Sequence, residues 1–452
     1  MNFSPDSKVY DGAFAIKPLF GTDLALEYTG ARDEYLACRS TAWLGTTLCM
    51  SPVIDVSGAD AAEVMNYCFV NRDFSLMKPG QSKHGIMLND NGKLIADGVV
   101  MYKGEGVWRL YWLAPIAYFA GVAAAQGKDI KAEFVNDEYF YQIDGPKSLE
   151  MLEDATHCDL HDLKFGQNKQ VTIEGTPMTV HRLGMSGALA YEVHGAAADA
   201  EVAYTAIRAS VEKFGGKPLG FRHYVVLNHT PGGYPNQFQH YGYAFYDTDP
   251  GLAEFAKQYC PPQFAAGSLM GNDAAIHVNP WDLGWGYCVN MDHDFRGKAA
   301  AEHDKAEYKA GRGRRMVTLE WNTEDVGEVY MSQLRGTDEE PYDPIEQYHD
   351  CYNGLNFYSL ITAFDVLDGN ESIGFAAGRC YAFYERRMIS LACIDAAHAV
   401  EGTEVEVLWG QPGHRQKRIR AKVAQFPYYQ GEWRNETCDV MAMVPERPYL
   451  AE

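Results

Sequence analysis

Residues 86–102 read IMLNDNGKLIADGVVMY, and this stretch decides the fold class. Two apolar arms, 86–88 and 94–102, flank Asn89-Asp90-Asn91-Gly92, a run of turn-forming residues, so the spacing predicts a β-hairpin. Working outward, 53–56 reads as a strand and 59–69 as an amphipathic helix started at Ser57-Gly58. A further strand at 107–113 completes a β-α-β-β pattern, an α+β layer with an antiparallel sheet. Asp97 interrupts the second hairpin arm. A carboxylate between Leu94-Ile95 and Val99-Val100 is costly unless it is paired or faces a cavity. Asp97-Gly98 as a simple turn or bulge is the alternative.

A similar unit follows, with strands at 139–143, 170–173, 178–182 and 190–194 and helices near 147–153 and 198–214. From 234 to 271 aromatics, Gly and Pro crowd together, which predicts an irregular connection. Beyond Arg315 short strands at 316–321, 373–380, 388–394, 404–408 and 418–426 predict a small barrel or sandwich, with 323–370 read as an insertion.

At 452 residues the chain exceeds one ordinary core, and two or three domains are expected. Hydrophobic residues at 46% and charged residues at 22% match a globular enzyme. A net charge of −22 argues against nucleic acid or an anionic membrane as partner, since both need a basic face. No export signal and no apolar run of about twenty residues is visible, so a cytoplasmic protein is expected. Ten cysteines without a CxxC pair fit reduced thiols, and with no HExxH or comparable pair no metal is expected.

Four separated segments resemble the glycine-cleavage T-protein (aminomethyltransferase) superfamily. They are Lys78-Pro79-Gly80-Gln81 with Leu88-Asn89 and 92–97; 143–148 (IDGPKS); 182–192 (RLGMSGALAYE); and Leu283-Gly284-Trp285 with Phe295-Arg296-Gly297-Lys298. Residues 402–405 and 421–428 match the pattern of the family's final barrel, so the likeness runs from about 44 to 429 outside the insertion. It implies an α+β, three-domain clover-leaf folate-binding aminomethyltransferase fold with a C-terminal β-barrel. Residues 1–50 and 136–245 would form a discontinuous first domain and 51–135 a second. A connecting segment and barrel would take 246–452, with the insertion at about 323–370.

The resemblance also implies tetrahydrofolate as cofactor. Glu192, after Tyr191, would accept hydrogen bonds from the amino-pyrimidine edge of the pterin. Asp97 would approach the reactive pterin nitrogens, with Arg222 and Trp285 completing the framework. Read without the motif, Glu192 is a strand-end surface glutamate and Trp285 is core. Departures from the family are Met185 for its tyrosine, Ala188 for a glutamate, Leu113 for an asparagine, and Val226 and Asn228 for an arginine and a glutamate. They weigh against aminomethyl transfer from a lipoyl-bound donor.

Residues 72–74, 224–234, 292–295 and the insertion are more similar to tetrahydrofolate-dependent O-demethylases of methoxylated aromatic acids, of the vanillate, 3-O-methylgallate and syringate type. The expected reaction is methyl transfer from an aryl ether to N5, giving 5-methyltetrahydrofolate, with a group to protonate the departing oxygen. Tyr234, Tyr241, Tyr243 and Tyr246, beside His229, His240 and Arg222, are the candidates. Plain core packing competes, since 29 tyrosines make chance clusters common. Arg222, Arg109 or His229 could hold a substrate carboxylate. The acidic run at 338–343 could cover the channel, form a subunit contact or stay solvated. Other readings are another folate-dependent methyl- or aminomethyltransferase acting on a sulfonium or methylamine, and a non-catalytic folate-binding protein. A small-molecule substrate and a monomer or homodimer are expected.

Overall fold

The computed structural model describes residues 3–19, 22–71, 73–112, 116–224, 228–237, 239–244, 264–345, 360–444, 447 and 450. The hairpin that the turn chemistry predicts is present, pairing Ser82–Leu88 with Leu94–Gly104. Asn89 makes the turn: its side-chain oxygen accepts from the backbone N–H of Asn91 (3.0 Å) and Lys93 (2.9 Å). Gly92 supplies the positive φ of 76° that a Cβ would resist.

Five antiparallel strands run in the order Ser82–Leu88, Leu94–Gly104, Val107–Tyr111, Val53–Ser57, Lys131–Phe134. A six-stranded sheet draws on chain both before and after this one. Its order is Asn168–Ile173, Thr176–His181, Ala190–Ala196, Glu138–Asp144, Trp43–Gly45, Lys217–Leu219, with only the last pair parallel. In the C-terminal part, Leu360–Asp368, Glu371–Ala382, Arg387–Asp395, Arg314–Trp321, Lys417–Ala424 and Glu404–Trp409 pair in that order. The first pairs again with the last and closes a six-stranded barrel. Closure removes the unpaired edges that an open sheet would expose.

One buried cluster joins the three sheets. Trp43, Val99, Tyr111, Phe140, Tyr224, Cys380, Ile389 and Tyr429 all pack in it, so residues far apart in sequence meet at the centre. Burial of this kind is the main favourable term holding the sheets together.

The insertion expected at 323–370 is narrower than that. Thr323–Ser332 is a helix whose N-cap, Asn322, accepts from Asp325 N–H, and Val326 and Val329 pack into the barrel core. Leu360–Asp368 is a barrel strand, and 346–359 lie outside the described residues. The acidic run is fastened to the barrel: Asp343 accepts from Gln411 N–H (2.8 Å) and pairs with His414 (2.7 Å), and its carbonyl accepts from Trp409 Nε1 (2.7 Å). The hairpin of Ala15–Leu19 with Thr22–Glu27 and the helices Ala31–Ser40 and Lys298–Lys309 were not evident from the sequence. The eight described cysteines are free thiols, and no described helix is long and apolar enough to cross a membrane.

Candidate active site

Asp97 stands opposite Ile86 in the hairpin and projects toward the centre, 9% exposed. Its cost is met by three donors. Oδ1 accepts from the Tyr241 hydroxyl (2.6 Å) and the Tyr243 hydroxyl (2.7 Å), and Oδ2 lies 2.8 Å from His84 Nε2. The Asp97 backbone N–H donates to the Tyr243 oxygen (2.9 Å), so the carboxylate is fixed at both ends. The His84 ring is set edge-on to Trp285, with centroids 4.5 Å apart. Burial alone would lower the His84 pKa, but hydrogen bonds to Asp97 and Cys288 outweigh it and raise it to about 10.

Two cavities meet here. The larger, about 580 Å³, is walled mainly by Phe165, Leu183, Tyr234, Trp285, Tyr287 and Phe426, with Arg434 and Glu436 at one side. The smaller, about 70 Å³, reaches inward past His229 and Tyr224 to Glu192. His84, Asp97, Val99, Met185 and Pro235 line both. The inner chamber alone is too small for a pterin.

Glu192 is buried on strand Ala190–Ala196, opposite Gln142 on one neighbouring strand and His181 on the other. Gln142 donates to its Oε1 (3.3 Å), while His181 Nδ1 is 3.8 Å from Oε2, beyond hydrogen-bond reach. Burial raises the Glu192 pKa to about 8 and lowers that of His181 to about 4. His194 packs against the Phe140 ring, 4.1 Å between centroids, and burial lowers its pKa as well. Glu192 and the two histidines have nitrogen and oxygen atoms within 4.8 Å of one another, close enough to be considered for a metal ion. Glu192 facing a cavity is also a fitting acceptor for the N–H edge of a heterocycle.

The other sequence candidates divide. Tyr234 lines the larger cavity, its hydroxyl 3.4 Å from Arg434, and Trp285 forms part of the same wall. His229 lines the inner chamber and donates from Nδ1 to the Tyr234 carbonyl (3.1 Å); burial lowers its pKa to about 4. Tyr241 and Tyr243 line neither chamber, and both spend their hydroxyls on Asp97. Tyr246 lies outside the described residues. Tyr191 is placed differently from the expectation: strand alternation turns it away from Glu192 into the core with Val171, Val193 and Tyr204. Arg109 is also displaced. It binds Asp55 through two nitrogens (both 2.7 Å) and Glu138 (2.8 Å), beside a separate cavity of about 670 Å³. Arg222 pairs with Glu27 (3.0 Å) and lines neither chamber.

His84, Gln142, His181 and His194 were missed. His84 could have been found from the hairpin register, which places it diagonally across from Asp97. His194 follows Glu192 by two residues on one strand, and so shares its face.

An α+β core with a closed C-terminal barrel thus places a carboxylate, held by two phenols and an imidazole, where two central cavities meet. Residues 10–228 match the family described as GCVT N-terminal domain. The chain is 42% identical over 457 residues to a sesamin methylene transferase of Sinomonas sp. (strain No.22), covering 98% of each chain. It is 29% identical to a syringate O-demethylase of Sphingobium sp. (strain NBRC 103272 / SYK-6), over 91% of this chain and 92% of that one. An aminomethyltransferase of Listeria welshimeri is 25% identical over 90% of this chain and 92% of its own. In fold, the crystal structure of glycine cleavage system aminomethyltransferase T from Bartonella henselae superposes with a TM-score of 0.66 at 18% identity, over 93% of this chain and 95% of that one. The chain belongs to the glycine-cleavage T-protein (aminomethyltransferase) superfamily and is an enzyme of the transferase class.

Proposed function

We propose that the protein transfers a one-carbon unit from the oxygen of an aryl ether to N5 of tetrahydrofolate. The observation that carries this reading is the junction itself: an aromatic-walled chamber of about 580 Å³ opens onto Asp97 on one side, and Glu192 closes the inner chamber on the other. A planar ether fits between Tyr234, Trp285, Tyr287 and Phe426. A pterin reaching from the junction would offer its N–H edge to Glu192 and bring its reactive nitrogen toward Asp97. Holding donor and acceptor in line supplies much of the rate enhancement for such a displacement. Recognition of a substrate carboxylate by Arg109 or Arg222 has no support, because both lie outside the chambers.

Two versions share this chemistry. In one a methyl group leaves a methoxylated aromatic and 5-methyltetrahydrofolate results. In the other a methylenedioxy ring opens to a catechol and 5,10-methylenetetrahydrofolate results; the 42% identity to a sesamin methylene transferase favours that second version. Incubation with tetrahydrofolate and either a methoxybenzoate panel or a methylenedioxybenzene panel, read by the mass of the folate product, separates them. No folate-dependent product from either panel would overturn the proposal.

A further inference from the structure

We infer that His84 is the acid that protonates the departing aryl oxygen; this rests on the proposed transfer from an aryl ether. His84 lines both chambers at their junction and keeps 24% of its side chain exposed there. Among the described tyrosines expected for this task, none lines both chambers at the junction. Tyr241 and Tyr243 donate to Asp97 and face neither chamber, and Tyr234 lines only the larger one.

Asp97 grips His84 through Nε2, which leaves Nδ1 as the other N–H of the charged ring, and the neighbouring Cys288 sulfur favours that charged form as an acceptor. A thiol is a weak partner that an ether oxygen can displace. The arrangement therefore resembles a Cys-His-Asp series in which the carboxylate, locked by two phenols, holds the imidazole in its charged form. Lys83, Tyr234, Tyr287, Arg434 and Glu436 in the larger chamber, and Tyr111, Glu192, Tyr224 and His229 in the smaller, are other titratable groups lining the space it faces. An imidazolium raised to about 10 has nearly the acidity of an ordinary phenol, so proton transfer to the leaving oxygen is close to thermoneutral.

In the transfer of a methyl group the carbon–oxygen bond breaks as the N5–carbon bond forms. The oxygen takes the Nδ1 proton, the alkylated N5 releases its own proton, and the imidazole recovers a proton for the next cycle. The sum is aryl methyl ether and tetrahydrofolate to phenol and 5-methyltetrahydrofolate. No oxidant or reductant is consumed.

The test is His84→Gln, whose amide keeps the Nε2-type contact to Asp97 but offers no proton at Nδ1. Turnover should fall by about 10²- to 10⁴-fold on ethers of ordinary phenols. It should fall far less on ethers of acidic, nitro-substituted phenols, which leave without help, and the tetrahydrofolate thermal shift should be retained. An equal loss on every ether, or none, overturns the role while leaving the proposed function standing. A parent enzyme inactive on all aryl ethers overturns both. Should the variant fail to fold, ¹⁵N spectra of the parent decide: both His84 ring nitrogens protonated at pH 8 supports the role, and a neutral ring overturns it.

Discussion

At the scale of single residues the site is governed by what burial does to charge. Glu192, raised to about 8, is mostly protonated at pH 7, whereas a pterin N–H edge prefers the carboxylate. Binding then releases a proton, so tetrahydrofolate affinity should rise about tenfold per pH unit as pH climbs toward 8 and level off above it. Titration calorimetry in buffers of different ionisation enthalpy reads the released proton; affinity flat from pH 6 to 8 would contradict the assignment. His229 is shifted the other way, from 6.5 to about 4, so the folded chain refuses a proton that the unfolded chain accepts. The stability due to its neutral state is complete above pH 6.5 and is lost as pH falls toward 4. Replacing it by Gln should flatten the fall in stability over that window by about 1.4 kcal/mol per pH unit, measured by urea unfolding.

Among the elements, the pleat of Ala190–Ala196 separates function from packing. Glu192 faces the chamber and Tyr191 faces the helices behind the sheet. Glu192→Gln should therefore weaken tetrahydrofolate binding by roughly 1–3 kcal/mol, an acceptor having been replaced by a donor. Tyr191→Phe should leave that affinity unchanged and alter only stability, and a matched loss in both variants would show the pleat argument to be mistaken. Gly378 plays a comparable part in the barrel. It interrupts the register of Glu371–Ala382 with φ +63°, its carbonyl accepts from Thr230 (2.6 Å), and a Cβ there would run into the His240 ring. Gly378→Ala should cost about 2 kcal/mol or more, seen as a lowered Tm, because both the backbone and a buried ring must shift.

Across the whole molecule residues 435–444, which follow the barrel strands, pack back on the six-stranded sheet. Arg182 is buried and donates to Asn435 (side chain 3.2 Å, carbonyl 2.9 Å), the Cys438 carbonyl (3.1 Å) and the Leu163 carbonyl (3.1 Å). His161 Nε2 lies 2.6 Å from the Val440 carbonyl, and Val440 and Val444 join the sheet's core. Arg182→Ala would leave several buried carbonyls without a donor, at roughly 1–3 kcal/mol each. The expected result is a lower Tm with early proteolytic loss of the C-terminal segment, while an unchanged digestion pattern would show that the segment holds itself.

The sequence by itself determined what is local. Turn residues 89–92 and the apolar runs beside them specified the hairpin, and short apolar runs between turns specified five of the six barrel strands, each from residues within a dozen positions of one another; the order of short motifs along the chain specified the superfamily. Asp97 stood out because a carboxyl within an apolar strand demands an explanation, and Glu192 because of its place in the 182–192 motif. The partners of those carboxyls were settled only by tertiary structure. His84 reaches Asp97 by register, Tyr241 and Tyr243 come from 144 and 146 residues away, and Arg109 is taken by Asp55 and Glu138. A side chain's charge and purpose follow from what surrounds it in space, and only packing the three sheets together decides which groups share the low-dielectric centre.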